Sequence, residues 1–285
     1  MSTTPLMQDD AEFGGKHDDR IEDDFFFRNN VHGASVQIRL GFLRKVYSLL
    51  FVQLLVTTII GFTLINVPAA KGFVQAKLVF LYRQLFDIDG EVGTIGIVAV
   101  LTKWRYEISP LRRRYAVTWM ITIGFLSNIV VLIALHFKRK ETPTNFVLLA
   151  IFTVVQAYTV GVLVSFYDGY VVLQAFLLTV LVMGGLTAYT FQTKRDFSNM
   201  GVLLFTALIV LIFGGLIQLF VQSSALEFGI SIFGAFIFAL FIVYDTQNLM
   251  LRVSPEEYIL ATIELYLDII NLFLYILRAL EAARR

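Results

Sequence analysis

The 285-residue chain contains no cysteine. That absence removes disulfides, thiolate nucleophiles and sulfur metal ligands together, while leaving the redox compartment open. Histidine is nearly as scarce. His17, His32 and His136 are scattered, with no two at metal-ligand spacing, so no histidine-built metal centre is expected. Charge is thin as well: 16 % of residues are Asp, Glu, Lys or Arg and the formal net charge is +1, which gives no electrostatic basis for a nucleic-acid partner. The first 38 residues lack the apolar stretch and cleavage site of a removable signal peptide. They are acidic instead, with Asp9, Asp10, Asp18, Asp19 and the Glu22-Asp23-Asp24 run, and are expected to form a disordered cytosolic tail. Within it, Phe25-Phe26-Phe27 offer a place for local docking.

What fills the chain is apolar. Hydrophobic residues make up 57 %, which no soluble domain of this length sustains, so the class is an integral membrane protein. About 20 helical residues cross a hydrocarbon core of about 30 Å. Seven runs of that length lie near Val46 to Val67, Ala116 to Phe137, Phe146 to Phe166, Tyr170 to Phe191, Val202 to Val221, Phe228 to Leu249 and Tyr258 to Leu280. They are continuously apolar and do not alternate as outer-membrane strands do, so each reads as a helix. The expected fold is an all-α membrane protein, a seven-transmembrane-helix bundle with the last helix central or re-entrant. Gly184-Gly185 and Gly214-Gly215 are expected to let neighbouring helices approach closely.

Short cytosolic loops collect Lys and Arg. Arg39, Arg44 and Lys45 precede the first span, Lys138-Arg139-Lys140 follow the second, Lys194-Arg195 the fourth and Arg252 the sixth, all on one side. That side reads as cytosolic and carries the N-terminus. The opposite connections around Tyr167-Asp168-Gly169 and Gln222-Ser223-Ser224 hold no Lys or Arg. The stretch 68–115 breaks the rule, with Lys71, Lys77, Lys103 and Arg112-Arg113-Arg114 on the luminal side, and reads as an atypical insertion between the first two helices. Residues 39–285 otherwise form one membrane domain.

Chemistry concentrates in the last two spans. Asp245 lies in Phe241-Ile-Val-Tyr-Asp-Thr-Gln and Asp268 in Leu265-Tyr-Leu-Asp-Ile-Ile-Asn-Leu-Phe. A carboxylate at bilayer depth costs roughly 2.5 to 3.5 kcal/mol, so one that is present usually faces a partner, a wet cavity or an ion path. Ser254-Pro255-Glu256-Glu257 predicts a helix start, with Ser254 as N-cap, Pro255 at the first position and Glu257 closing a capping box. Counting from that turn puts Asp245, Glu264 and Asp268 at broadly comparable depth, and Glu264 shares a helix face with Asp268. The hairpin is thus expected to present up to three carboxylates to one cavity. Two nearby carboxylates in a dry site share a proton and titrate as a coupled pair; ionised, they attract a hard cation such as calcium. The alternative is a buried acid bonded to Tyr244, Tyr266 or Asn271.

Four segments carry a resemblance: Ile38-Arg-Leu-Gly-Phe-Leu-Arg-Lys-Val-Tyr, Phe166-Tyr-Asp-Gly-Tyr-Val-Val-Leu-Gln-Ala-Phe, Phe241-Ile-Val-Tyr-Asp-Thr-Gln, and Ser254-Pro-Glu-Glu-Tyr through Arg278. They resemble the transmembrane Bax-inhibitor-motif family over roughly 30–67 and 116–281. Ile21-Glu-Asp-Asp-Phe in the tail is similar to its Golgi anti-apoptotic, or lifeguard, branch. The resemblance implies a pH-sensitive calcium leak channel of Golgi or endoplasmic reticulum membranes that lowers store calcium and inhibits apoptosis. It implies no enzyme activity and no cofactor, with calcium as the permeant ion, and as partners the bilayer and other membrane channels or apoptosis regulators. Asp245 and Asp268 match the family's gating pair, where calcium would bind, and Arg139 falls where a basic residue of the second span interacts with that pair. Glu264 and the 68–115 insertion depart from the family pattern.

Two other readings stand beside this one. An intramembrane aspartyl protease also places Tyr-Asp in a sixth span and Asp in a seventh, but its second aspartate follows Gly-x-Gly, whereas Leu265-Tyr266-Leu267 precedes Asp268 here. A non-conducting membrane scaffold acting on cell death through partners is separable from a channel only by flux.

Overall fold

The computed structural model of the protein describes residues 36–66, 123–193 and 195–284. Most of the acidic tail and the whole 68–115 insertion lie outside the described residues. Within them the chain forms seven helices and no strand: α1 Val36–Asn66, α2 Ile123–Lys138, α3 Thr144–Val164, α4 Gly169–Gln192, α5 Gly201–Val221, α6 Ser224–Leu251 and α7 Tyr258–Arg284. Six of these are long and apolar enough to cross a membrane, and α2 is apolar over its described length. The expected all-α multi-span architecture is therefore what the chain adopts.

Several of the boundaries have a local cause. Lipid offers backbone groups no hydrogen bonds, so the apolar runs satisfy themselves as helices until a polar residue can take over. Asp168 accepts from the backbone of Tyr170 at 3.1 Å to start α4, and Ser223 accepts from Leu226 at 3.4 Å to start α6. Gln222 ends α5 in the left-handed region at φ 48°. Ser254 accepts from Glu256 at 3.5 Å and Pro255 opens a single 3-10 turn, Pro255–Glu257, that runs directly into α7. The cap at Ser254 forms as expected, but Glu257 turns outward to Arg139 and does not close a capping box.

Helix α7 is the axis of the bundle. It packs against α6, α4 and α1, and over half of its most apolar stretch is buried. Leu265, Tyr266, Leu272 and Leu277 on α7 meet Phe152 of α3, Val46 and Leu50 of α1 and Ile242 of α6 in one core. A re-entrant course does not describe it. The helix is unbroken for 27 residues, about 40 Å, and Arg284 in its last turn lies 3.3 Å from Asp168 at the start of α4.

Close helix approach occurs elsewhere than at the glycine pairs. A Cβ at Gly184, Gly185 or Gly215 would meet no atom of another described residue within 4 Å, and one at Gly214 would make only ordinary contact with Ile230. Apolar residues outnumber core positions in a membrane chain, so these glycines sit on helices α4 and α5 whose surfaces are largely left to lipid. Tight contacts are at Gly124, Gly161, Gly201 and Gly234; at Gly234 of α6 the ring of Tyr275 on α7 occupies the space a Cβ would need, and that ring stacks on Phe238 at 5.6 Å between centroids. Gly234→Ala should therefore destabilise the protein by about 1–3 kcal/mol through overpacking. Gly184→Ala should be neutral or slightly favourable. Thermal unfolding in detergent distinguishes the two variants, and equal midpoints would contradict this account of the α6–α7 contact.

Candidate functional site

The final turns of α6 place four polar side chains in sequence, and a helix rotates each by about 100° from the last. Asp245 faces α7, where its carboxyl interacts with that of Asp268, and Asn248 of its own helix lies beside it. Thr246, fully buried, is directed toward Tyr47 of α1. Gln247 turns to the α4–α5 connection, accepting from the backbone N–H of Phe197 at 2.6 Å and donating to the carbonyl of Arg195 at 2.7 Å. One short stretch thereby touches three neighbours.

Asp268 is 6 % exposed, and its Oδ2 has no hydrogen-bond partner among the described residues. The structure thus brings together the two aspartates singled out by the sequence. It also accounts for the residues that would have made Asp268 an ordinary structural acid. The Tyr266 hydroxyl lies 2.8 Å from Thr57, Asn271 donates to the carbonyl of Leu267 at 2.9 Å, and Tyr244 directs its hydroxyl at Gly201. None of the three partners Asp268. Two carboxyl groups in contact require a proton between them, since both cannot be ionised at that separation in an apolar setting without large repulsion.

Glu264 does not complete a three-carboxylate cage. Its side chain is exposed, although it is near enough to interact electrostatically with Asp245, Asp268 and Glu257. Among the described residues no group of three or more His, Cys, Asp or Glu converges in a way that would hold a metal ion. Glu264 therefore stands beside the pair as an added negative charge. Any calcium at Asp245 and Asp268 would be held by that pair with neutral oxygens.

Arg139 lies elsewhere than the resemblance implies. Its guanidinium is 3.2 Å from Glu257, so it joins the α2–α3 connection to the α6–α7 turn and does not reach the aspartates. The carboxylate of Glu257, displaced from its capping role, is what intercepts it. Lys140 approaches Glu256 at 4.0 Å alongside, and Lys45 sits 5.5 Å above the ring of Tyr258. These contacts gather the basic start of α1 and the basic α2–α3 connection around the start of α7.

Such an arrangement, an α-helical membrane bundle whose last two spans bury a carboxyl pair, defines a class of polytopic membrane protein. The chain belongs to the family described as inhibitor of apoptosis-promoting Bax1, whose model matches residues 39–285. It is 40 % identical to the Golgi anti-apoptotic protein of Vaccinia virus (strain Lister), over 93 % of this chain and 95 % of that protein. It is 39 % identical to protein lifeguard 4 of Mus musculus, over 93 % and 94 % respectively. Bax inhibitor 1 of Schizosaccharomyces pombe is 33 % identical, over 89 % of this chain and 82 % of its own length.

Gln247 carries no charge and no motif of its own, so sequence reasoning passed over it. Its replacement by leucine should remove both bonds to the α4–α5 connection, leaving the Phe197 N–H and the Arg195 carbonyl unpaired at a local cost of about 1–3 kcal/mol. Exchange of the Phe197 amide hydrogen should accelerate by about one to two orders of magnitude in the Gln247→Leu variant. Unchanged exchange at Phe197 would show that the connection is held by other contacts.

Proposed function

We propose that the protein is a pH-sensitive calcium leak channel of intracellular membranes, lowering store calcium and thereby inhibiting apoptosis, with Asp245 and Asp268 as its gate. The observation that carries this reading is the contact between two carboxyl groups from successive membrane helices, one of them with an unpartnered buried oxygen. Relatives named for anti-apoptotic action and for Bax inhibition support the cellular role, and the Golgi in one of those names supports an intracellular membrane, Golgi or endoplasmic reticulum. The end bearing Arg44, Lys45, Arg139 and Arg252 is the cytosolic one on the positive-inside rule, which places the N-terminus in the cytosol and the end of α7 in the lumen.

The mechanism follows from the charge state of the pair. With one proton shared, Asp245 and Asp268 attract, and α6 and α7 are held together. When that proton leaves, two negative charges about 4 Å apart repel by on the order of 4 kcal/mol at an effective dielectric near 20. That is enough to move a two-state equilibrium by about three orders of magnitude. The same oxygens then become ligands for a hard cation, with calcium as the transported substrate and Glu264 adding local negative potential. Leak therefore rises as pH rises through the range in which the pair loses its proton.

Calcium efflux from proteoliposomes measured across pH tests this directly. The wild-type protein should leak more at higher pH, whereas Asp268→Asn, which keeps the hydrogen bond and cannot ionise, should hold flux at its acidic level throughout. Asp245→Asn should do the same. Curves identical to wild type for both variants would exclude the pair as gate, and no flux from wild-type vesicles would leave a scaffold acting through partners as the function.

A further inference from the structure

A directed chain of buried hydrogen bonds lies on the side of α7 opposite the carboxyl pair. Tyr266 and Asp268 are two residues apart, about 200° around the helix, so one faces α1 and α3 while the other faces α6. The Thr57 hydroxyl donates to the carbonyl of Gln53 at 2.8 Å, which uses its only hydrogen. The 2.8 Å contact between Tyr266 and Thr57 must then have the tyrosine as donor. Gln53 in turn donates through Nε2 to Thr153 Oγ1 at 3.0 Å, and Thr153 donates to the carbonyl of Leu149 at 2.8 Å. Every hydroxyl donor in the chain is therefore assigned.

All four side chains are buried: Gln53 at 3 %, Thr57 at 6 %, Thr153 at 5 % and Tyr266 at 0 % exposure. The Tyr266 ring also stands edge-on to Phe152, with centroids 5.9 Å apart. Apolar packing has little directional preference, but a hydrogen bond does. A tyrosine hydroxyl lies roughly 9 Å from its helix axis, so turning α7 by about 20° would carry it about 3 Å and break the bond to Thr57. The same turn would take Asp268 out of register with Asp245.

We propose that Tyr266 and Thr57 are positioning residues for the gate, their hydrogen bond holding α7 at the rotation where Asp268 meets Asp245 and so setting the pH at which the pair parts. This rests on the reading of Asp245 and Asp268 as the gate. The groups beside that pair are Asn248 from α6 and Glu264 from α7, with Glu257 beyond Glu264 at the turn, paired to Arg139, and Tyr47 of α1 with Thr187 of α4 beside Thr246. Tyr266 and Thr57 are neutral, so altering them changes no charge in that set. Their effect on the gate is geometric.

The test compares calcium efflux against pH in proteoliposomes for the full-length wild-type protein and for Tyr266→Phe, Thr57→Val, Thr57→Ser and the Tyr266→Phe/Thr57→Val double variant. Losing the bond favours the parted state about fivefold, the worth of one net hydrogen bond, which moves the midpoint of a one-proton transition about 0.7 pH unit toward acid. Each of the Phe and Val variants should show that shift. The double variant should shift no further than either alone, because both remove the same bond, and Thr57→Ser should follow the wild-type curve. Curves for Tyr266→Phe and Thr57→Val that superimpose on the wild-type curve, or an additive shift in the double variant, would overturn the proposal. If Tyr266→Phe does not fold, Thr57→Val against Thr57→Ser makes the same comparison.

Carbodiimide labelling of Asp268, mapped by mass spectrometry, separates this proposal from the channel reading, because it reports the carboxyl without requiring flux. Labelling in Tyr266→Phe should differ from wild type by about fivefold at a pH where the pair is held together. Equal labelling would overturn the positioning role whether or not the vesicles leak, whereas altered labelling without any flux would leave it standing and remove the channel.

Discussion

Contact between two carboxyl groups across α6 and α7 is the constraint around which this bundle is arranged. Each acid alone would be costly in an apolar span, and together they are tolerable only while a proton links them. The chain meets that condition by making the two helices a hairpin with a very short turn. The 3-10 turn at Pro255–Glu257 leaves little slack, so Asp245 near the end of α6 and Asp268 near the start of α7 are brought level. At the other end of the hairpin Gly234 admits the Tyr275 ring, and Arg284 reaches Asp168.

Charges at the basic end do less than their number suggests. The Arg139–Glu257 pair is only partly buried, the Lys138–Glu141 and Lys140–Glu256 pairs are exposed, and such pairs contribute about 0–1 kcal/mol each. They orient the connections more than they hold the bundle together. What holds α7 is its burial among Phe152, Leu50 and Ile242 together with the Tyr266 bond to α1. The Gln247 staple does the same for the α4–α5 connection, two residues from Asp245.

The parts of this structure that were legible in the chain are those written in local pattern. Apolar runs of spanning length, Ser254-Pro255 at a helix start and two aspartates set in apolar surroundings all announce themselves within a few residues. Contacts between distant side chains do not. Thr57 and Tyr266 are 209 positions apart and Gln247 lies 52 from Arg195, and nothing in their neighbours' identities selects those partners over others. Arg139 illustrates the same limit, since its reach was evident and its partner was not: Glu257, read as a capping residue, was the nearer carboxylate. The glycine pairs misled for a related reason. Small residues permit close approach, but only the tertiary arrangement decides whether a helix is there to approach, as one is at Gly234 and none is at Gly184.

Magnitudes decide how far a change at the acids would propagate. Repulsion between two ionised carboxylates is on the order of 4 kcal/mol, while a single buried hydrogen bond such as that of Tyr266 is worth about 1 kcal/mol net. Repulsion therefore exceeds the restraint closest to it. It does not exceed the packing of α7, whose many buried side chains make collective van der Waals contact with α1, α3 and α6. A force larger than the local restraint and smaller than the core produces a displacement of helices and leaves the fold intact. That ordering is what the proposed proton-driven switch needs, and it follows from placing one acid and a tyrosine on opposite faces of the central helix α7, with the second acid facing it from α6.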